Sequence, residues 1–124
     1  MHLNKQSQAK QKTGRAGEQF VSSYLEQDGF TILARNYQTR LGEIDIIAQK
    51  DDVIAFVEVK TRYNEYFHIT QTITKSKQSK IVKTAKHFVL RSGIIDKVLR
   101  FDVAIVTQQD GQWQISYLPN AFYS

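Results

Sequence analysis

The sequence predicts a single α/β domain, a mixed sheet with helices packed against it, and three observations carry that reading. A stripe of apolar residues at helical spacing (Phe20, Val21, Tyr24, Leu25) precedes three segments with strand character. A second stripe (Ile81, Val82, Ala85, Phe88, Val89) follows them, and two more strand-like segments close the chain. Helix, three strands, helix, two strands is an order that builds a mixed sheet. At 124 residues the chain has the length of one domain with one core.

Residues 1–13 are polar and are expected to form a flexible basic tail, with the folded domain at 14–124. The first helix runs from about Gly14 to Asp28, and Gly29 is its expected cap. "FTILARNYQTR" reads as the first strand, Arg40, Leu41 and Gly42 as a turn, "EIDIIAQ" as the second strand, and "VIAFVEVK" after a "KDD" turn as the third. "TRYNEYFHITQT" has no clean period and is a loop. "KSKQSKIVKTAKHFVLRS" is the second helix, stopped by Gly93. "LRFDVAIVTQ" is a buried strand and "DG" a hairpin turn. "WQISYLP" is an edge strand expected to stop at Pro119, with Trp113 and Tyr117 on one core-facing side.

Composition narrows the class. With 41% hydrophobic and 23% charged residues the chain is globular rather than disordered. Cysteine is absent, which excludes disulfides and thiolate metal sites and permits a reducing compartment. No run has membrane-spanning length and the N-terminal stretch lacks an apolar core, so a cytoplasmic location and no membrane partner are expected. The net charge is +5, with a pI near 9.5. From Tyr66 to Ile95 there is no acid, while Lys75, Lys77, Lys80, Lys83, Lys86 and Arg91 all fall there. Such a block suits a polyanion, because each neutralised phosphate releases counterions. Arg62, Gln71, Lys77, Lys80 and Lys83 are the expected nucleic-acid contacts.

The chemistry concentrates in "FVEVKTR". Residues two apart in a strand share a face, so Glu58 and Lys60 lie beside Phe56 in an otherwise apolar run. With a loop of about four residues and Ala48 facing Val53, Asp45 stands opposite Phe56 and diagonal to Glu58, and Glu43 stands opposite Glu58. Carboxylates crowded on one face repel, and a divalent cation relieves them. Asp45 and Glu58 would supply hard oxygen ligands to Mg2+, with Mn2+ as a substitute, and the carbonyl of Val59 would add a third. Lys60 would orient the attacking water or stabilise charge on a scissile phosphate. Glu18, at the edge of the first helix's stripe, would hold a second ion or an outer water. Glu43 suits a turn cap or a pair with Arg40, and Asp102 a pair with a nearby arginine. His2, His68 and His87 lack ligand spacing.

"GEQFVSSYLEQDGFTILARNY", "GEIDIIA", "FVEVKTR", "KQSKIVKTA" and "RFDVAIV", in this order and spacing, resemble the YraN-like family of small bacterial proteins. The resemblance runs from about Gly14 to the C-terminal "NAF". It implies kinship with archaeal Holliday junction resolvases in the PD-(D/E)XK nuclease superfamily, and so a restriction-endonuclease-like fold with a central five-stranded sheet flanked by helices. It further implies Asp45 and Glu58 as metal ligands, Lys60 as the catalytic lysine and Glu18 as the helix-one glutamate. Ile44 stands where the superfamily pattern has a proline. His68 and Lys75 stand where similar proteins tend to have a glycine and a proline.

The function expected is a Mg2+-dependent endonuclease acting on DNA, branched or otherwise structured DNA included, and a homodimer would let it cut two strands symmetrically. A nucleic-acid-binding module that no longer cuts, and an adaptor docking an acidic protein through its basic helix, are the alternatives. Facing carboxylates argue against pure binding, since a phosphate backbone repels them.

Overall fold

The computed structural model describes residues 5–62 and 73–123, with the backbone alone over 5–13; Gln71 and His68 lie outside the described residues. Along the chain come α1 (Lys5–Gln27), β1 (Thr31–Gln38), β2 (Glu43–Lys50), β3 (Val53–Arg62), α2 (Lys75–Ser92), β4 (Val98–Gln109) and β5 (Gln112–Phe122). The sheet order is β1-β2-β3-β4-β5, antiparallel except for the parallel pair β3 and β4. A parallel pair needs a crossover, and α2 supplies it. The fold is therefore α/β, a mixed five-stranded sheet with a helix on each face, consistent with the restriction-endonuclease-like arrangement expected.

Both faces of the sheet are covered, which explains why β3 and β4 read as nearly continuous apolar runs. On the α2 side, Ile44, Ile47, Ile54, Phe56, Phe101, Val103 and Phe122 pack with Ile81 and Ala85. On the α1 side, Ile46, Ala48, Ala55, Val57, Ala104 and Val106 pack with Val21 and Leu25. Phe56, Phe101 and Phe122 are register neighbours on three adjacent strands, so their rings stack at 5.5 and 5.2 Å between centroids. The C-terminal tail thus folds back on its own sheet, burying Phe122 and leaving Tyr123 exposed. Trp113 and Tyr117 do share the α1 side, under Phe20 and Tyr24.

The ends of the helices follow local chemistry. α2 starts at Thr74, whose hydroxyl accepts from the Lys77 N–H at 3.2 Å, and ends at Gly93 in the left-handed region. Helical backbone in α1 begins at Lys5, before the expected start at Gly14. The stretch "KQSQAKQKT" has no apolar stripe to reveal it, yet Gln, Ala and Lys are good helix formers.

Two strand expectations need correction, and β2 departs from regular alternation. The β2–β3 connection is Asp51 and Asp52 alone, with Asp51 at φ 53°, so Ala48 faces Ala55 rather than Val53. A slip of two residues keeps every side chain on its face. Alternation in β2 breaks at Asp45: Ile44 packs with Ile47 on the α2 side, while Ile46 and Ala48 pack on the other. β5 also runs through Pro119 instead of stopping there. The residues around Pro119 form an irregularity opposite Asp102, with Asn120 at φ 53°, so the missing N–H falls where the ladder is already interrupted.

Candidate functional site

β2 and β3 pair only as far as Ile46 and Val57; past that point β3 continues beside β4 alone. The corrected register brings Asp45 level with Glu58, one position beyond the last pair. There the Asp45 carboxylate closes the gap, its Oδ2 accepting the Val59 N–H at 2.8 Å. Asp45 therefore replaces the backbone acceptor that a continuing ladder would offer, and its carboxylate is held at the opening between the strands. Val59 joins the centre through its N–H.

Glu58 and Lys60 project from β3 on the α2 side, as their spacing requires. The Lys60 ammonium lies 3.2 Å from Glu58 Oε1, and the Lys77 ammonium, from the first turn of α2, lies 2.8 Å from the same oxygen. Lys77, one of the expected nucleic-acid contacts, also reaches the centre through this ion pair, with its side chain 42% exposed. The signal was present, since Lys77 is four residues before the buried Ile81 and so stands at the edge of the stripe that faces this side of the sheet.

Glu18 enters from α1. Gly17 lets the helix come close there, for a Cβ at that position would lie 2.7 Å from the Thr61 hydroxyl oxygen. Glu18 hydrogen-bonds Asn36, and Arg35 lies beside it. The charges of Glu18, Glu43 and Glu58 all reach Asp45. Glu43 itself is exposed at the start of β2 and makes no ion pair with Arg40 among the described residues. Of the basic residues, Lys80 sits against Gly42, where a Cβ would be 3.3 Å from the lysine's own. Arg62 at the end of β3 donates to the Thr61 carbonyl at 2.9 Å, and Lys83 is exposed on the far flank of α2.

The electrostatics follow from crowding and burial. Burial first, and then the neighbouring Glu58 charge, pushes the Asp45 carboxyl up to about 7. Glu18 is also raised, chiefly by burial. Burial and a hydrogen bond from Lys77 lower Lys60, although Glu58 opposes them. Burial works against the Lys77 charge too, but hydrogen bonds to Glu58 and Lys60 outweigh it and raise this ammonium. Lys77 is thus the firmer cation of the pair, and Lys60 the one nearer to a neutral amine.

Among the described residues no three acidic or histidine side chains close into a ligand cage. Asp45 and Glu58 form the pair available to an ion, which suits Mg2+, a cation bound by one or two carboxylates with waters retained. The charge count agrees. Four carboxylates (Glu18, Glu43, Asp45, Glu58) face two ammonium groups and the Arg35 guanidinium beside Glu18, so one negative charge remains over when all are ionised.

Glu58 differs from Asp45 in being the counterion of two lysines, and its side chain is only 8% exposed. Glu58→Gln is therefore expected to destabilise the domain by roughly 1–3 kcal/mol, because glutamine keeps an acceptor oxygen but removes the negative charge that two neighbouring ammonium groups share. Lys77 is 42% exposed and can turn to water, which holds the cost to that range. Urea denaturation checks this, and an unchanged midpoint would show that the pair adds nothing to stability.

An α/β protein of restriction-endonuclease-like architecture, with an acidic centre where two central strands part, is the class the coordinates define. The family model described as "Uncharacterised protein family UPF0102" matches residues 17–106, and the chain belongs to that family, the YraN-like family of the sequence resemblance. Similar chains include UPF0102 proteins of Alkaliphilus metalliredigens, 42% identical over 88% of this chain and 96% of the relative, and of Sulfurihydrogenibium sp., 44% identical over 91% and 96%. A UPF0102 protein of Clostridium acetobutylicum is 38% identical over 90% of this chain and 93% of its own. No helix among the described residues is long and apolar enough to cross a membrane.

Proposed function

We propose that this protein is a divalent-metal-dependent nuclease that hydrolyses phosphodiester bonds in DNA, structured or branched DNA included. The observation that carries the reading is the meeting of Asp45 with the Glu58 and Lys60 pair at the one opening in the β2–β3 ladder, beside the basic helix α2. Asp45 and Glu58 would hold the ion, with Glu18 placed for an outer water. When bound, the cation supplies positive charge at the scissile phosphate and acidifies the attacking water. Lys60, whose ammonium stands on Glu58, donates the hydrogen bond that orients that water or stabilises the charge developing on the phosphate, and the water's proton passes to solvent. The new P–O bond forms as the ester P–O bond breaks, and the departing alkoxide takes up a proton from solvent. One centre per chain cuts one strand; symmetric scission needs a homodimer, for which the open edge of β5 offers a surface.

One observation favours the second reading, a module that binds nucleic acid without cutting it. Lys77 already gives Glu58 a cation, so Asp45, Glu58, Lys60 and Lys77 sum to neutrality without a metal. Incubation of linear, single-stranded and four-way-junction DNA with Mg2+ or Mn2+ separates the two. Nuclease function predicts cleavage that disappears with chelator and falls at least about 100-fold in Asp45→Asn and Lys60→Met. Binding by the wild type with no cleavage of any substrate in either metal would leave the binding module.

A further inference from the structure

We propose that the groove between the β1–β2 turn and the C-terminal half of α2 is a second anion site, which holds a backbone phosphate of the bound nucleic acid several nucleotides from the acidic centre. This rests on the nucleic-acid reading above but not on hydrolysis. The groove encloses about 470 Å³, and Tyr37, Thr39, Arg40, His87 and Arg91 are among its walls. No carboxylate lines it. Arg40 and Arg91 make no ion pair among the described residues, whereas Lys50, Lys60, Lys77, Lys97 and Arg100 each have a carboxylate partner. His87 Nδ1 is hydrogen-bonded to the Tyr37 hydroxyl at 2.7 Å, and Tyr37 is wedged edge-on against Phe88. The imidazole is therefore held in place, with Nε2 left for a ligand. Two guanidinium groups, planar forks suited to phosphate oxygens, and a fixed imidazole on one concave surface are what a phosphate requires.

The placement of the groove ties it to the centre. Lys77, Lys80, His87 and Arg91 follow one another at intervals of three, seven and four residues, which keeps them on one flank of the helix. Their contacts agree: Lys77 on Glu58, Lys80 on Gly42, His87 on Tyr37, and Arg91 in the groove. The ten residues from Lys77 to His87 span about 15 Å, the stacked rise of about four nucleotides. Lys75 and Lys86 belong to the other flank, around Tyr123. α2 is thus divided between a track that leads away from the acidic centre and a face turned from it.

Binding without metal tests this, because no cleavage is then involved. Anisotropy of a labelled single strand and of its duplex, in chelator and across about 50 to 200 mM salt, gives the slope of log affinity against log salt. The double variant Arg40→Ala, Arg91→Ala should bind at least about tenfold more weakly at the lower salt. Its slope should be shallower by about 0.7 on the single strand or about 0.9 on the duplex, the one phosphate that the two arginines hold together. Lys75→Ala with Lys86→Ala removes the same charge from the opposite flank and should change the slope by less than half as much. All four side chains are exposed, and unchanged thermal unfolding confirms folding. An unchanged slope in the arginine variant, or an equal change in both variants, overturns the proposal. A shallower slope in a protein that cleaves nothing would keep the groove and remove hydrolysis, whereas cleavage by a wild type whose slope the arginines do not affect would do the reverse.

Discussion

Asp45→Asn is expected to stabilise the domain at neutral pH by about 2 kcal/mol and to remove the divalent-cation affinity proposed for the centre. The carboxyl titrates near 7 in the folded protein, against 3.8 for an ordinary aspartate, because burial and Glu58 disfavour its charge. A group that holds its proton more tightly when folded costs stability as pH rises: nothing below about 4, progressively more between about 4 and 7, and the full amount above 7. A proton affinity raised that far sets a ceiling of about 4 kcal/mol, and water reaching the partly exposed side chain reduces it. Asparagine keeps an oxygen for the Val59 N–H and carries no charge. The variant and the wild type should therefore unfold together near pH 4 and separate by pH 8. A wild type whose stability does not fall relative to the variant over that range would show that Asp45 ionises freely. Mn2+ titrations give a second reading: wild-type affinity should rise about tenfold per pH unit up to about 7 and then level off.

Asp102→Ala should be the most damaging single change, costing about 3–5 kcal/mol. Asp102 is fully buried and satisfies three partners at once. Arg100 donates to both of its oxygens at 2.9 to 3.2 Å, the Tyr117 hydroxyl donates at 2.6 Å, and the Asn120 N–H donates at 3.1 Å. The hydrogen bond to Asp102 raises the Arg100 guanidinium, and burial with the nearby Asp102 charge holds the Tyr117 phenol far above its usual range. Alanine would leave a guanidinium, a hydroxyl and a backbone N–H without their shared acceptor. Because whole-domain stability is about 5–15 kcal/mol, the variant should be partly unfolded at moderate urea. Loss of less than about 1 kcal/mol would show that water replaces the carboxylate. Asp102 is remote from the acidic centre in role: it clamps the irregularity in β5 that admits Pro119.

The sequence made the pairing of Glu58 with Lys60 on one face legible, because strand periodicity is a local property independent of the rest of the fold. The faces of α2 were legible for the same reason, and Ile81, Ala85, Phe88 and Val89 pack as their spacing requires. Asp102 was read as an arginine partner, and Arg100 is that partner. Asp45 was harder. Its nearness to Glu58 depends on register, and register depends on the length of the turn, which is Asp51 and Asp52 alone rather than the expected four residues. The acidic pair survived because an even slip preserves the face. The passage of β5 through Pro119 was missed, since a proline tolerated at an interruption looks in sequence like a proline that ends a strand.

The sequence by itself determined which residues share a face in β3 and α2, where the helices begin and end to within a turn at α2, and which carboxylates and lysine stand in the central strands. Those properties follow from backbone geometry over a few residues. Only the tertiary structure decided that Lys77 lies on Glu58, that Asp45 is buried enough to hold its proton near neutral pH, and that Arg40 meets His87 and Arg91 in one groove. Each of these depends on the distance between groups far apart along the chain, and on the water excluded between them. Both are set by how α1 and α2 settle against the two faces of the sheet, a result of summed packing that no local period records.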